Sequence, residues 1–318
     1  MSTDPEPPAE PAAEPAIRRV LEQALPTVRV LTLRHLAAGY SSKHWIADTD
    51  EGRLLVKVPQ RDRDPAHLGR LMTNTRVAAE HGIPVVRYRC LVPHAPAVDG
   101  PVLIQEFEEG DTAADLWESL DEAQRLVLCE DLGSIVGQLH GITAPWFGEV
   151  AENATASSLR ESLRESVEAE VDALLRQGHA DLLGGSAAVR TATARALSQL
   201  DDSASLPVLT HGDLWLPNFL VRERRITCVL DFEHATYQDR FRDFGKLDEH
   251  IFDAFPAGRP AFLAAYAAVC PLPDDWEQRV DLAHMLHALT MHVYFLRWSP
   301  QWAPEYAQQV KTWIAEHS

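Results

Sequence analysis

Three side chains around residue 220 have the types and spacing for metal-assisted group transfer. The run His211-Gly212-Asp213-Leu214-Trp215-Leu216-Pro217-Asn218 has the form H-x-D-x-x-x-x-N, and Val229-Leu230-Asp231-Phe232-Glu233 follows it. Amide and carboxylate oxygens such as those of Asn218 and Asp231 are hard ligands suited to Mg²⁺, which keeps several waters and is completed by substrate phosphates. Asp213, five residues before Asn218, is placed on a loop to accept a proton from an attacking hydroxyl. The β-forming runs NFLV and ITCVLD, separated by RERR, read as a hairpin that folds Asp231 back beside Asn218. A loop His-Gly-Asp followed by an unrelated strand aspartate would not account for both spacings.

HGDLWLPN followed by VLDFE resembles the catalytic and metal-binding segments of the aminoglycoside phosphotransferase/choline kinase family, relatives of the protein kinases. The interval of 18 residues from Asp213 to Asp231 is similar to the kinase-like pattern. The resemblance implies an α+β, bilobal, protein-kinase-like fold, with a small antiparallel β lobe and a larger, mainly helical lobe. It further implies Asp213 as catalytic base, Asn218 and Asp231 as Mg²⁺ ligands, and ATP as phosphoryl donor. Asp243-Phe244-Gly245 spells the protein-kinase metal tripeptide, but it lies 30 residues past Asp213, beyond the hairpin. Asp243 is therefore not expected to bind metal; the stretch Tyr237-Gln238-Asp239-Arg240-Phe241-Arg242-Asp243 resembles the family's structural acid, which implies that Asp243 clamps the backbone of the catalytic loop.

The first lobe is expected to supply the nucleotide contacts. Gly39-Tyr40-Ser41-Ser42-Lys43-His44 lies between two β-runs, where Ser41 and Ser42 could bring hydroxyls and backbone N–H groups to phosphates. Lys57, in Leu54-Leu55-Val56-Lys57-Val58, is a cation inside an apolar strand, and burying an unpaired ammonium is costly. With the downstream motif present, Lys57 reads as the partner of the α/β-phosphates. Gln105 and Phe107, in Gln105-Glu106-Phe107-Glu108-Glu109-Gly110, resemble the hinge that meets the adenine edge. The family usually places a glutamate on the following helix to orient the lysine; this chain has Leu71 near that position, with Glu80 the nearest acid downstream. The partner of Lys57 is left open.

These residues need elements to carry them. VRVLTLRHL, KHWIADTD and RLLVKVP read as an antiparallel meander, AHLGRLMTNTRVAAEHG as a helix, and VVRYRCLV and PVLIQEF as two further strands. Helices dominate from Asp111 onward, interrupted only by short β-runs over residues 206–232. The expected organisation is an acidic, Pro/Ala-rich disordered tail over 1–16, a nucleotide-binding β-rich lobe over 17–104, and a helical lobe with the catalytic loop and substrate site over 105–318.

Composition narrows the function. The 318 residues are 46% hydrophobic and 24% charged, enough for a real core. A net charge of -18 argues against general nucleic-acid binding, which demands a basic face. No apolar run reaches the ~18 residues of a membrane span, and the N-terminus lacks a secretory pattern. Cys90, Cys129, Cys228 and Cys270 show no short pairing pattern, so a reducing cytoplasm is the expected compartment. Residues 26–104 hold 7 acids and 11 bases, whereas 105–318 hold 35 acids and 16 bases. The acidic half reads either as a solvated surface or as a face that attracts a cationic substrate.

The leading expectation is an ATP- and Mg²⁺-dependent O-phosphotransferase acting on a hydroxyl of a small, cationic acceptor such as an aminoglycoside-like antibiotic. One alternative keeps the fold and phosphorylates Ser/Thr of a precursor peptide in lanthipeptide-type biosynthesis. Another is a pseudokinase binding module, supported only by the missing helix glutamate. The aromatic series Tyr294, Trp298, Trp302, Tyr306 and Trp313 reads mainly as core, and the scattered histidines, His250 and His287 among them, as structural.

Overall fold

In the computed structural model, residues 13–37, 42–151, 156–179, 183–201 and 205–317 are described. They divide into two compact units. The first runs to Asp111 and also takes in Thr227–Glu233; the second holds Thr112–Ile226 and the chain from His234.

The first unit opens with helix α1 (Glu14–Ala24), which starts at Glu14 with Pro15 in its first turn, where a missing N–H costs nothing. Glu14, Pro15 and Ala16 are thus helical, and the rest of the expected tail, residues 1–12, lies outside the described residues. Strands β1 (Val30–Leu36), β2 (Ser42–Thr49) and β3 (Gly52–Pro59), helix α2 (Pro65–Glu80), and strands β4 (Tyr88–Ala95) and β5 (Gly100–Glu106) follow. The five strands form one antiparallel sheet in the order β1-β2-β3-β5-β4. Successive side chains on a strand face opposite ways. Leu54, Val56 and Val58 of β3 join Val102 and Ile104 of β5 in a core capped by Ile17, Val20 and Leu21 of α1. Leu55, Lys57, Leu103 and Gln105 therefore share the other face, with Lys57 opposite Leu103 and Leu55 opposite Gln105.

The second unit is mainly helical. It contains β6 (Asp111–Thr112), α3 (Ala113–Trp117), α4 (Glu122–Leu139), β7 (Gly148–Glu149), α5 (Leu159–Arg176), α6 (Ser186–Gln199), β8 (Val208–Thr210), β9 (Phe219–Arg222) and β10 (Arg225–Val229), whose last residues return to the first unit. Strand β11 (Thr236–Gln238) and helices α7 (Arg242–Leu247), α8 (Gly258–Val269), α9 (Trp276–Trp298) and α10 (Ala303–Glu316) complete it. An antiparallel sheet in the first unit and helices in the second make up the α+β arrangement expected from the motifs.

Two packing features position the site. Helices α5, α6, α9 and α10 bury one core that includes Leu163, Val167, Leu286, Leu289 and Val310. Helix α4 meets α8 through Gly133 and Gly137. A Cβ at Gly133 would lie 2.3 Å from the Phe262 carbonyl oxygen, so only glycine permits this approach. The contact places Tyr266 of α8 beside His140 at the end of α4, with the phenol 3.0 Å from Nδ1.

Candidate active site

The H-x-D-x-x-x-x-N run leaves the fully buried end of β8, where Thr210 pairs with Thr236 of β11. The chain must then turn sharply. Gly212 takes φ +79°, and a Cβ there would lie 2.7 Å from the His234 carbonyl oxygen, so both conformation and space call for glycine. The turn aims Asp213 at Asn218, which sits on a short 3₁₀ turn (Leu216–Asn218). Asn218 Nδ2 donates to Asp213 Oδ2 at 2.8 Å and to the Asp213 carbonyl at 2.9 Å. That pair of acceptors fixes the amide orientation and leaves the Oδ1 oxygen out of the bonds to Asp213.

Asp243 holds the loop from beneath. Its buried carboxylate accepts from the His211 N–H at 2.8 Å and the Gly212 N–H at 2.7 Å. His140 Nε2 lies 3.1 Å from Oδ2. Burial pushes the Asp243 carboxyl up, and the hydrogen bonds and charges of His140 and His211 outweigh it, so the group stays below the usual carboxylate range. Asp243 is a backbone clamp, as the resemblance implied. Gly245 of the same tripeptide serves packing: a Cβ there would meet His287 Cβ at 2.8 Å, so α7 lies close on α9.

The sequence did not disclose Lys246, on α7. Its ammonium donates to Asp213 Oδ1 and lies 5.1 Å from the centroid of the Trp215 ring. Burial raises the Asp213 pKa, but the Lys246 charge and hydrogen bond, with His211 and His234, hold it below its ordinary value. Next to this pair, a π-helical turn (Asp248–Phe252) carries Glu249 and His250. Glu249 accepts from Tyr306 at 2.5 Å, and His287 Nε2 lies 2.5 Å from its other oxygen. Donor atoms of Glu249, His250 and His287 all lie within 4.8 Å of one another. His250 packs on Trp215 with ring centroids 5.7 Å apart. The aromatic series thus splits: Tyr306 and Trp313 are buried, while Tyr294, Trp298 and Trp302 are exposed. His250 and His287, scattered in the sequence, meet around Glu249.

In the first unit, Lys57 lies on an interior strand, opposite His44 of β2 and Leu103 of β5, so it is no edge lysine. Leu71 of α2 is buried, and among the described residues Lys57 has no acidic ion-pair partner. Helix α2 instead holds the segment that carries Asp231. Asn74 Nδ2 donates to the Phe232 carbonyl at 3.0 Å, and His67 Nε2 lies 3.1 Å from Glu233 Oε2. The Val229 N–H donates to the Pro84 carbonyl at 2.7 Å. Asp231 itself adopts φ +67°, a left-handed conformation uncommon outside glycine and concentrated at functional sites. Burial, then the charges of Asp231 and Glu233, raise the Tyr88 pKa, which places that phenol near both carboxylates.

Ser42 begins β2, whereas Ser41 lies outside the described residues. Gln105 is buried on β5, and its Oε1 has no hydrogen-bond partner among the described residues. The Phe107 N–H is already donated to the Arg53 carbonyl at 3.0 Å, and the Arg53 guanidinium covers its ring. That N–H is therefore not the group that would read a base edge. Asp213 and Asn218 fall in the second unit, Lys57 and Asp231 in the first.

Comparison with known proteins decides the family. A model of the phosphotransferase enzyme family matches residues 32–282. The chain belongs to that family. The chain is 24% identical over 173 residues to a candidate ketoamine kinase of Enterococcus faecium, and it spans 60% of that protein's length in an alignment covering 51% of its own. Among solved structures it is similar to a candidate fructosamine-3-kinase from Thermobifida fusca, with a TM-score of 0.68, 20% identity and coverage of 94% and 98% of the two chains. It is also similar to ADP-bound aminoglycoside phosphotransferase APH(2'')-Ib, with a TM-score of 0.64, 19% identity and coverage of 96% and 98%. At those identities the structural likeness shows the fold alone.

The donor chemistry of the phosphotransferase fits a nucleotide with Mg²⁺. Asn218 has its amide nitrogen anchored, leaving an oxygen for a hard cation. Lys57 offers an ammonium not neutralised by an acid among the described residues.

Proposed function

We propose that this phosphotransferase uses ATP and Mg²⁺ to phosphorylate a hydroxyl of a small, amine-bearing acceptor. The observation that carries the reading is the clamped loop, in which Asp243 fixes His211 and Gly212 while Asn218 fixes Asp213. A rigid carboxylate of this kind can orient a hydroxyl and take its proton, and phosphoryl transfer depends mainly on such positioning and electrostatics. Asp213 is the base. Asn218 and Asp231 hold the metal, and Lys57 pairs with the phosphates, with Ser41, Ser42 and Gln105 lining the nucleotide. Mg²⁺, when bound, supplies neutralising charge to the phosphates. The carboxylate of Asp213, held ionised by Lys246, is ready to accept a proton at Oδ2 or Oδ1 without prior deprotonation.

The names of the relatives and the charge support this acceptor class. One relative is named for ketoamines and one neighbour for aminoglycosides, and both names contain an amine, which supports an amine-bearing acceptor. The acidic second half favours such a cation. A cytoplasmic location fits the chemistry, and among the described residues no helix is long and apolar enough to cross a membrane.

The test is label transfer from γ-labelled ATP, with and without Mg²⁺, to three acceptor groups: aminoglycosides, fructosyl amines, and Ser/Thr peptides. Mg²⁺-dependent label on a sugar hydroxyl supports the proposal. Label on peptide alone would move the assignment to a peptide kinase. ATP that is bound but never consumed would make the chain a binding module.

A further inference from the structure

We infer that Lys246 is a catalytic residue that neutralises charge on the phosphoryl group during transfer, using donors left over from its bond to Asp213. The inference rests on the phosphotransfer reading. The loop between Asp213 and Asn218 is Leu-Trp-Leu-Pro and contains no cation of its own. Charge beside the base comes instead from α7, through Lys246.

Three features show that this lysine is placed rather than incidental. Its ammonium is bonded to Asp213 Oδ1, and both side chains are largely covered, with 19% and 17% exposure. The Trp215 ring lies under the ammonium, and His250 packs on the same indole, so the cation has an aromatic seat built by the catalytic loop itself. Gly245 lets α7 lie against α9, which fixes the helix that carries it. Exposed lysines are mobile and heavily hydrated; this one is held on two sides.

An ammonium has three donors. One is spent on Asp213, and among the described residues the others have no acceptor. In the transfer, the acceptor oxygen forms a bond to the γ-phosphorus while the bond from that phosphorus to the bridging oxygen of ADP breaks. The acceptor proton passes to the Asp213 carboxylate, and ADP leaves with the bonding pair. Negative charge is spread over the three non-bridging oxygens of the moving group. A cation within reach of Asp213 Oδ1 is within reach of a phosphoryl attacked by a hydroxyl on that carboxylate. A fixed donor aimed there stabilises the transition state more than the ground state, which raises kcat without tightening ATP binding.

The test compares wild type with Lys246→Met, which keeps length and loses charge, and Lys246→Arg, which keeps charge. Circular dichroism verifies folding, and Lys246→Gln replaces the methionine variant should that one not fold. Calorimetry measures binding of ADP with Mg²⁺, then of ADP with Mg²⁺ and aluminium fluoride, a mimic of the phosphoryl in flight. Lys246→Met should leave ADP affinity within about twofold of wild type, while the affinity gained with aluminium fluoride falls about 10²-fold. The kcat of transfer should fall by a similar factor with KM for ATP little changed, and Lys246→Arg should recover most of both. Unchanged aluminium fluoride binding and kcat in Lys246→Met would overturn the inference. So would a rise in KM alone, or an arginine variant as impaired as the methionine one. Wild-type protein that transfers no phosphoryl would instead sink the phosphotransfer reading on which the inference stands.

Discussion

Asp243→Asn is the most informative structural perturbation, because one carboxylate ties the helical core to the loop over residues 211–218. Both Asp243 oxygens accept: Oδ1 from the Gly212 N–H, Oδ2 from the His211 N–H and from His140. The side chain is fully buried, so no water can replace a lost acceptor. An asparagine keeps the shape but turns one acceptor into a donor that faces another N–H. A buried polar group left unsatisfied costs about 1–3 kcal/mol, and the His140 bond is weakened as well, so a loss of about 3 kcal/mol is expected. For a unit of this size that corresponds to a drop in Tm of about 6–12 °C. The loop also loses its anchor, and a shift of about 1 Å in a catalytic group can cost about 10²-fold in rate. The assay is paired: thermal unfolding by circular dichroism, and phosphoryl transfer at 15 °C, where both proteins are folded. Nucleotide affinity should be retained. A variant within about 1 kcal/mol of wild type and with full turnover would refute the clamp.

Other outcomes follow from the same network. Burial raises the Glu249 pKa, but bonds from His287 and Tyr306 hold it down to about 2, against an ordinary 4.5. A depressed folded pKa gives stability that is present above about pH 4.5 and lost as the pH falls toward 2; discounted for partial exposure, it amounts to about 2 kcal/mol. Glu249→Gln should therefore be less stable than wild type at pH 7, with the gap narrowing below about pH 4.5 and closing only near pH 2; parallel urea midpoints from pH 7 to pH 2 would contradict this. Arg279, buried between Asp239 at 2.9 Å and Asp275 at 2.8 Å, is expected to cost about 3–5 kcal/mol when changed to Met, because Asp239 is left without its partner. An Asp239→Asn change on top should return part of that loss in chemical denaturation. Gly212→Ala, at φ +79° with no room for a Cβ, should reduce turnover far more than nucleotide affinity, and equal effects on both would speak against the loop geometry.

The parts of the site carried by local patterns were legible in the sequence. Alternating β-formers announced the five strands of the sheet. The resemblance of the stretch around Asp243 to the family's structural acid pointed to the clamp on the His211 and Gly212 N–H groups. What escaped were contacts between residues far apart in the chain that no periodicity encodes. Lys246 reaches back 33 residues to Asp213, and Glu249 draws on His287 and Tyr306 from two later helices. The π-helical turn that sets Glu249 and His250 in place leaves no compositional trace. The absent glutamate on α2 is also explained only in three dimensions. Asn74 and His67 spend that helix's polar contacts on residues 232 and 233, next to Asp231, while Leu71 is buried.

The central claim is that Asp213 takes the proton from an acceptor hydroxyl as the phosphoryl moves. Asp213→Asn tests it most directly, in label transfer from γ-labelled ATP alongside ATP binding by calorimetry. The account predicts a loss of about 10²–10⁴-fold in transfer with ATP affinity retained. Transfer at the wild-type rate by the asparagine variant would contradict it.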